Sequence, residues 1–118
     1  MSALRISTDK AELDLPLIHR FLSTQAYWSQ GIPEDTVVRA VAGSLCFGAY
    51  VDGAGQVAFA RVVSDFATFA YLADVFVLES HRGRGLARWL MEVIVAHPEL
   101  QGLRRWMLVT RDAPSATS

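Results

Sequence analysis

The 118-residue chain has a single cysteine, Cys46, so no disulfide framework can hold it and its stability must come from a packed interior. Cys46 lies inside an apolar run, which predicts a buried thiol rather than a nucleophile. An excess of either charge is also missing. The 11 basic and 12 acidic residues leave a net charge of −1, which gives no global field to hold nucleic acid or an anionic membrane surface. Long hydrophobic runs are absent: the apolar stretch 37–51 is broken by Arg39, Gly43 and Gly48, so no membrane span is expected. The N-terminal region has Asp9, Glu12 and Asp14 where a secretory signal would be basic and then apolar, and a cytoplasmic product is expected. His19, His81 and His97 have no spacing that joins them as metal ligands, and no metal is expected. Repeats and low-complexity tracts do not occur.

What is present is enough apolar residue for one core. At 118 residues and 52% hydrophobic, the chain fits one domain over 1–113, with a polar, small-residue tail at 114–118. Residues 4–7 read as a short strand. A helix starts at Asp14 or Leu15, with Pro16 near its first turn and Leu17, Ile18, Phe21 and Leu22 as its apolar stripe, and runs out near Gln25. The segment 26–33, AYWSQGIP, is a loop, and Glu34 and Asp35 suit the start of a second helix through about Ala42. Residues 45–51 and 56–64 form a hairpin around Asp52-Gly53-Ala54-Gly55, and 67–78 continues as a third long strand in an antiparallel meander. A third helix covers 85–96, with Trp89, Leu90 and Met91 read as packing positions and His97-Pro98 marking its end. Residues 105–110 make a last strand.

The most informative stretch is 71–87, YLADVFVLESHRGRGLA. A strand-like run passes through a short polar loop into an Arg-Gly-Arg-Gly turn that opens a helix. The first turn of a helix leaves N–H groups without intrahelical acceptors and carries partial positive charge, so an anion is stabilised there. Gly83 and Gly85 allow close approach to the main chain and a positive φ, while Arg82 and Arg84 add full charge. The turn fits neither common phosphate loop. A dinucleotide fingerprint needs a third glycine where Arg88 stands, and Gly-Lys-Ser/Thr occurs nowhere in the chain. The bland reading is a strand-to-helix connection with two solvated arginines.

Arg82-Gly83-Arg84-Gly85-Leu86-Ala87, following Val75-Phe76-Val77, resembles the Arg/Gln-x-x-Gly-x-Gly/Ala signature of the GNAT N-acyltransferase superfamily. The resemblance implies an α+β fold of order β-α-α-β-β-β-α-β, a mixed and mostly antiparallel sheet flanked by helices, here without the family's last helix and strands. It implies acetyl-CoA as co-substrate, with the diphosphate held by Arg82, Gly83, Arg84, Gly85, Leu86 and Ala87. The pantetheine arm would lie on the main chain of Val75, Phe76 and Val77, where two strands splay apart. The implied reaction is acetyl transfer to a primary amine of a small molecule or protein. Tyr27 and Trp28, in the loop that lines the acceptor pocket in related enzymes, are the candidate substrate-binding residues, with packing onto the sheet as the alternative.

Removing the proton from the amine calls for a base near the gap. Asp74 is the first candidate, because it interrupts an apolar strand, and a carboxylate paired with an arginine such as Arg61 is the other reading of it. Strict alternation would turn Asp74 to the same face as Leu72 and Phe76. Glu79 is the second candidate, and as the first loop residue it could simply be solvated. The family's Asn-x-x-Ala-x-x-Leu-Tyr pattern falls in register on Thr110, Ala113, Ala116 and Thr117, so only the alanine is kept and the tyrosine used as general acid is a threonine. That departure bears on turnover, and a non-catalytic CoA-binding or interaction module, or an inert shortened reading frame, stands beside the enzyme reading. A sheet ending near Thr110 would leave its last strand as an edge, so a homodimer through edge strands or exchanged elements is expected.

Overall fold

A computed structural model of the chain describes residues 4–108. Its elements run β1 (Leu4–Ser7), α1 (Leu15–Thr24), α2 (Glu34–Ala42), β2 (Leu45–Val51), β3 (Gly55–Ser64), β4 (Phe69–Val77), α3 (Leu86–Ala96) and β5 (Arg105–Leu108). The expected order holds, with ends shifted by one or two residues, within the usual fraying of element boundaries. The sheet order is β1-β2-β3-β4-β5. The first four strands pair antiparallel and β5 joins β4 in parallel. Residues 109–118, which include Thr110, Ala113, Ala116, Thr117 and the expected tail, lie outside the described residues.

Each helix buries one stripe. In α1, Ile18, Phe21 and Leu22 face inward beside Val37 and Val41 of α2, and they meet Cys46, Phe59 and Phe76 on one face of the sheet. Phe21 and Phe76 stack with centroids 4.0 Å apart, fixing α1 directly over β4. On the opposite face, Leu86, Leu90 and Ile94 of α3 pack against Phe47, Ala60, Val62 and Leu72. These three α3 positions recur every four residues, so Trp89 falls about 100° off the stripe and is 38% exposed, not packed as expected. Cys46 is buried and free, as its apolar run implied, and burial pushes its thiol up to about 11.

One departure from regular pleating matters for the site. Arg61 pairs with Asp74 while Val62, the next residue on β3, pairs with Leu72, so Ala73 is an extra residue on β4. Such a bulge re-aims the side chains on either side of it. Leu72 therefore packs on the α3 face, while Asp74, Phe76 and Arg61 stay on the α1/α2 side, correcting the expectation that Leu72 and Asp74 share a face.

Candidate functional site

The β4–α3 connection is built so that its donors stay unspent. At the end of β4, the Leu78 N–H donates to the Val57 carbonyl at 2.9 Å, and the chain then makes a single 3-10 turn over Glu79–His81. Gly83 and Gly85 follow with φ of +79° and +76°, and Gly85 is the residue that caps α3. At both glycines an added Cβ would meet no protein atom within 4 Å. Internal crowding therefore does not call for glycine here, whereas the left-handed backbone does. Among the described residues, the main-chain N–H groups of Gly83, Arg84, Gly85, Leu86, Ala87 and Arg88 donate to no protein acceptor, and the helical ladder begins only with Trp89 N–H to the Gly85 carbonyl at 3.0 Å.

The other helix starts show what is unusual about this one. In α1, the Asp14 carboxylate accepts from the Leu17 N–H at 3.1 Å, and the first turn of α2 carries Glu34 and Asp35. Both place negative charge where the helix dipole favours it. The start of α3 has neither a side-chain cap nor an acidic first turn, and has Arg84 before it and Arg88 within it. An isolated helix is destabilised by such a start, and an incoming anion compensates for both defects at once. Arg82 is exposed, but its Nε donates to the Val77 carbonyl at 2.9 Å, so one edge of its guanidinium braces the loop against the strand end. Arg84, His81 and Leu86 line a hollow of about 240 Å³ with Leu4 and Val51. A larger, open hollow of about 410 Å³ lies between Thr68, Phe69, Arg104, Arg105 and Met107, at the opposite end of β4 and remote from these amides.

Among the described residues, β4 has an uncovered edge beside the loop. Parallel pairing with β5 is described for Phe69–Leu72, opposite Arg105–Leu108, and 73–77 faces no described strand on that side. Peptide groups alternate their direction along an antiparallel strand. Since the Leu78 N–H points to β3, those of Val77 and Val75 point to the open edge, in agreement with the Arg82 contact to the Val77 carbonyl. The Phe76 side chain lies in the α1/α2 core.

The candidate acidic residues sit in contrasting environments. Asp74 is 7% exposed and both of its oxygens are engaged: Arg61 Nε donates to Oδ2 at 2.7 Å and Trp28 Nε1 to Oδ1 at 2.6 Å. Arg61 Nη1 in turn donates to Ser44 Oγ at 3.1 Å, and the Ser44 hydroxyl donates to the Ala40 carbonyl at 2.6 Å. Glu79 is exposed, and among the described residues its carboxylate has no partner. Tyr27 and Trp28 stand in a 3-10 turn, edge to face with ring centroids 5.2 Å apart, and each is 44% exposed. No group of three His, Cys, Asp or Glu side chains among the described residues could hold a metal ion. Spacing alone did not reveal the Ser44 and Trp28 contacts. The available hint was chemical, because a partly buried indole N–H needs an acceptor and the acidic residue in the apolar strand was there to provide one.

With this geometry in hand, comparison with known proteins gives a consistent picture. The family model described as the acetyltransferase (GNAT) family matches residues 15–117. A candidate acetyltransferase of Gibberella zeae is 36% identical over 91% of this chain and 71% of its own length. A crystal structure of a candidate GNAT-family acetyltransferase from Xanthomonas campestris pv. campestris is 56% identical, with a TM-score of 0.92 over 98% of this chain and 80% of that one. An aminoglycoside N-acetyltransferase solved in complex with CoA shares the fold alone, at 21% identity and a TM-score of 0.68 over 99% of this chain and 82% of its own.

Proposed function

The chain belongs to the GNAT acetyltransferase family, and on that premise we propose that it uses acetyl-CoA to acetylate a primary amine of a small molecule or protein. The observation that carries this reading is the set of unspent N–H donors over 83–88, at a helix start with arginines where carboxylates would normally sit. A diphosphate supplies several acceptor oxygens and two negative charges, which is what that surface lacks. Gly83 and Gly85 keep side chains out of its way, Leu86 and Ala87 contribute amides, Arg84 adds charge, and Arg82 holds the loop open against β4. The open-edge peptide groups of Val75 and Val77 are suited to an extended amide-bearing arm such as pantetheine, with Phe76 anchoring the strand between them. Their N–H groups are also placed to polarise a thioester carbonyl as charge develops on its oxygen. Tyr27 and Trp28 form an aromatic wall on the acceptor side of β4. That an aminoglycoside N-acetyltransferase of the same fold was solved with CoA and with a bisubstrate analogue, CoA-S-monomethyl-acetylneamine, supports a CoA thioester and an amine as the two substrates.

The proton leaving the amine goes to water or to the exposed Glu79, since both oxygens of Asp74 already accept strong bonds. The engaged Asp74, with Thr117 at the position of the family tyrosine, favours one second reading: a CoA-binding module without turnover. Calorimetry with acetyl-CoA and CoA, followed by thiol-release assays with kanamycin, spermidine, benzylamine and an alanine-initiated hexapeptide, separates the two. Binding with thiol release supports the transferase, binding without release selects the module, and no binding rejects both.

A homodimer is part of the proposal. Among the described residues β5 is an edge strand, and its Trp106, Met107 and Leu108 are 40%, 45% and 62% exposed. Light scattering that gave a monomer at high concentration would remove it.

A further inference from the structure

We infer that Asp74 is a positioning residue that sets the acceptor wall by holding the indole of Trp28, and is not the proton acceptor of the reaction. This rests on the acetyl-transfer reading above. The geometry leaves Asp74 little freedom for any other task. One carboxylate oxygen takes the Trp28 N–H at 2.6 Å and the other takes Arg61 Nε at 2.7 Å, and the residue is 7% exposed. A base must present a lone pair to the incoming amine, and here the stronger acceptor directions are already taken by an indole and a guanidinium. Asp74 keeps the face of Phe76 in direct register with Arg61, one residue before the open-edge peptide of Val75, while the bulge at Ala73 turns Leu72 to the other face. A residue in register with Leu72 would have faced α3.

The contact also ties together parts of the chain that are far apart in sequence. Arg61 reaches on to Ser44, and Ser44 to the Ala40 carbonyl near the end of α2, so the node joins the 26–33 loop to β4, β3 and the α2–β2 turn. Elsewhere in that loop, Gly31 N–H donates to the Ser23 carbonyl at 2.9 Å, the Ser29 hydroxyl to the Leu22 carbonyl at 2.8 Å, the His19 ring bonds the Ile32 carbonyl at 3.0 Å, and the Pro33 carbonyl accepts from Val37 N–H of α2 at 3.2 Å. The Trp28–Asp74 bond is a direct polar link between the acceptor loop and the strand where the thioester would lie. It holds the indole edge in and leaves the ring half exposed.

The test uses the full chain. With Trp89→Phe and Trp106→Phe in place, Trp28 is the sole tryptophan and its fluorescence reports the contact. Asp74→Ala is expected to raise iodide quenching of Trp28 at least threefold, and Asp74→Asn, which keeps one acceptor oxygen, to recover most of the protection. Because Asp74→Ala strips the partly buried Arg61 of its ion-pair partner and could unfold, Trp28→Phe in the otherwise wild-type chain provides a second arm. It should speed hydrogen exchange over 26–33 at least tenfold while acetyl-CoA affinity stays unchanged. With the best amine of the four named above, Trp28→Phe should raise KM by more than it lowers kcat, and Asp74→Asn should keep the acid limb of the wild-type pH profile. Unchanged quenching and exchange, or a lost acid limb in Asp74→Asn, overturns the inference. Absence of acetyl-CoA binding by the wild-type chain would instead overturn the reading beneath it, and the fluorescence and exchange arms decide the positioning role in either case.

Discussion

Two clusters of polar groups flank the last half of β4, and they are opposites. At Asp74 both carboxylate oxygens have protein partners, and the residue is buried. At 83–88, among the described residues, six consecutive main-chain donors have none. Buried polar groups that are satisfied hold a structure in place, whereas unsatisfied donors at a helix start wait for a ligand. On the proposed reading, the difference teaches that the conspicuous carboxylate in the strand serves the architecture, while the ligand-binding capacity lies in backbone amides with no side-chain signature beyond two glycines. The acidic residue that catches the eye lies within β4, and the amides proposed to hold the co-substrate lie beyond its end, at the start of α3.

The sharpest way to break that comparison is to attack the satisfied cluster. Asp74→Ala leaves the partly buried Arg61 without its ion-pair partner and the Trp28 N–H without an acceptor, so it should cost about 3 kcal/mol of stability, read as the shift in a urea unfolding midpoint. A loss below about 1 kcal/mol would mean that the pair is solvated and the contrast is overdrawn. Next comes the unsatisfied cluster, where the expected loss is in binding. Gly85→Val puts a branched side chain at φ of +76° and at the mouth of the amide set, and should weaken acetyl-CoA at least about 100-fold, near 2.7 kcal/mol. The left-handed backbone strains the valine by about 1–3 kcal/mol, but no protein atom lies within 4 Å of the new Cβ, so the cost stays local and the fold should survive by circular dichroism.

Most of the architecture was legible because periodicity and punctuation agreed. The helical spacing of apolar residues after Gly85, Pro16 in the first turn of α1, and the Asp52 to Gly55 turn each announced an element, and each forms. The β4–α3 loop was legible for the same reason, since Gly-x-Gly before an apolar helical stripe leaves few conformations open. Two features escaped. The bulge at Ala73 arises from how β4 registers against β3, and alternation read along one strand cannot reveal a register shift against its neighbour. The Trp28–Asp74 bond spans 46 residues and depends on where α1 docks, which is set by the Phe21–Phe76 stack. Tertiary packing, not local pattern, placed both.

Smaller effects sharpen the account further. Arg84→Ala removes a charge beside the amides while Arg82 still braces the loop, so acetyl-CoA affinity should fall about tenfold, less so at high salt. Arg82→Ala should also loosen the loop, visible as faster hydrogen exchange over 79–85. The smallest expected effect lies far from the site, in the β3–β4 turn. There Asp65 accepts from the Thr68 hydroxyl and from the N–H groups of Thr68, Ala67 and Phe69, which holds its carboxyl well below the usual carboxylate range. A lowered folded value means that its stabilisation is present above about pH 4, the ordinary carboxylate range, and is lost as pH falls through the lowered value. Asp65→Ala should therefore melt below wild type at pH 7, with the gap closing below about pH 3. A gap independent of pH would assign the turn's stability to its backbone alone.

The central claim, that amides of 83–88 hold a diphosphate, is tested most directly by titrating acetyl-CoA into wild type and Gly85→Val by calorimetry at low salt. The account predicts one saturable site per chain for wild type, equal binding of free CoA because the diphosphate is shared, and no measurable heat for the folded variant. Equal affinity in wild type and Gly85→Val, or no binding by wild type at millimolar acetyl-CoA, would contradict it.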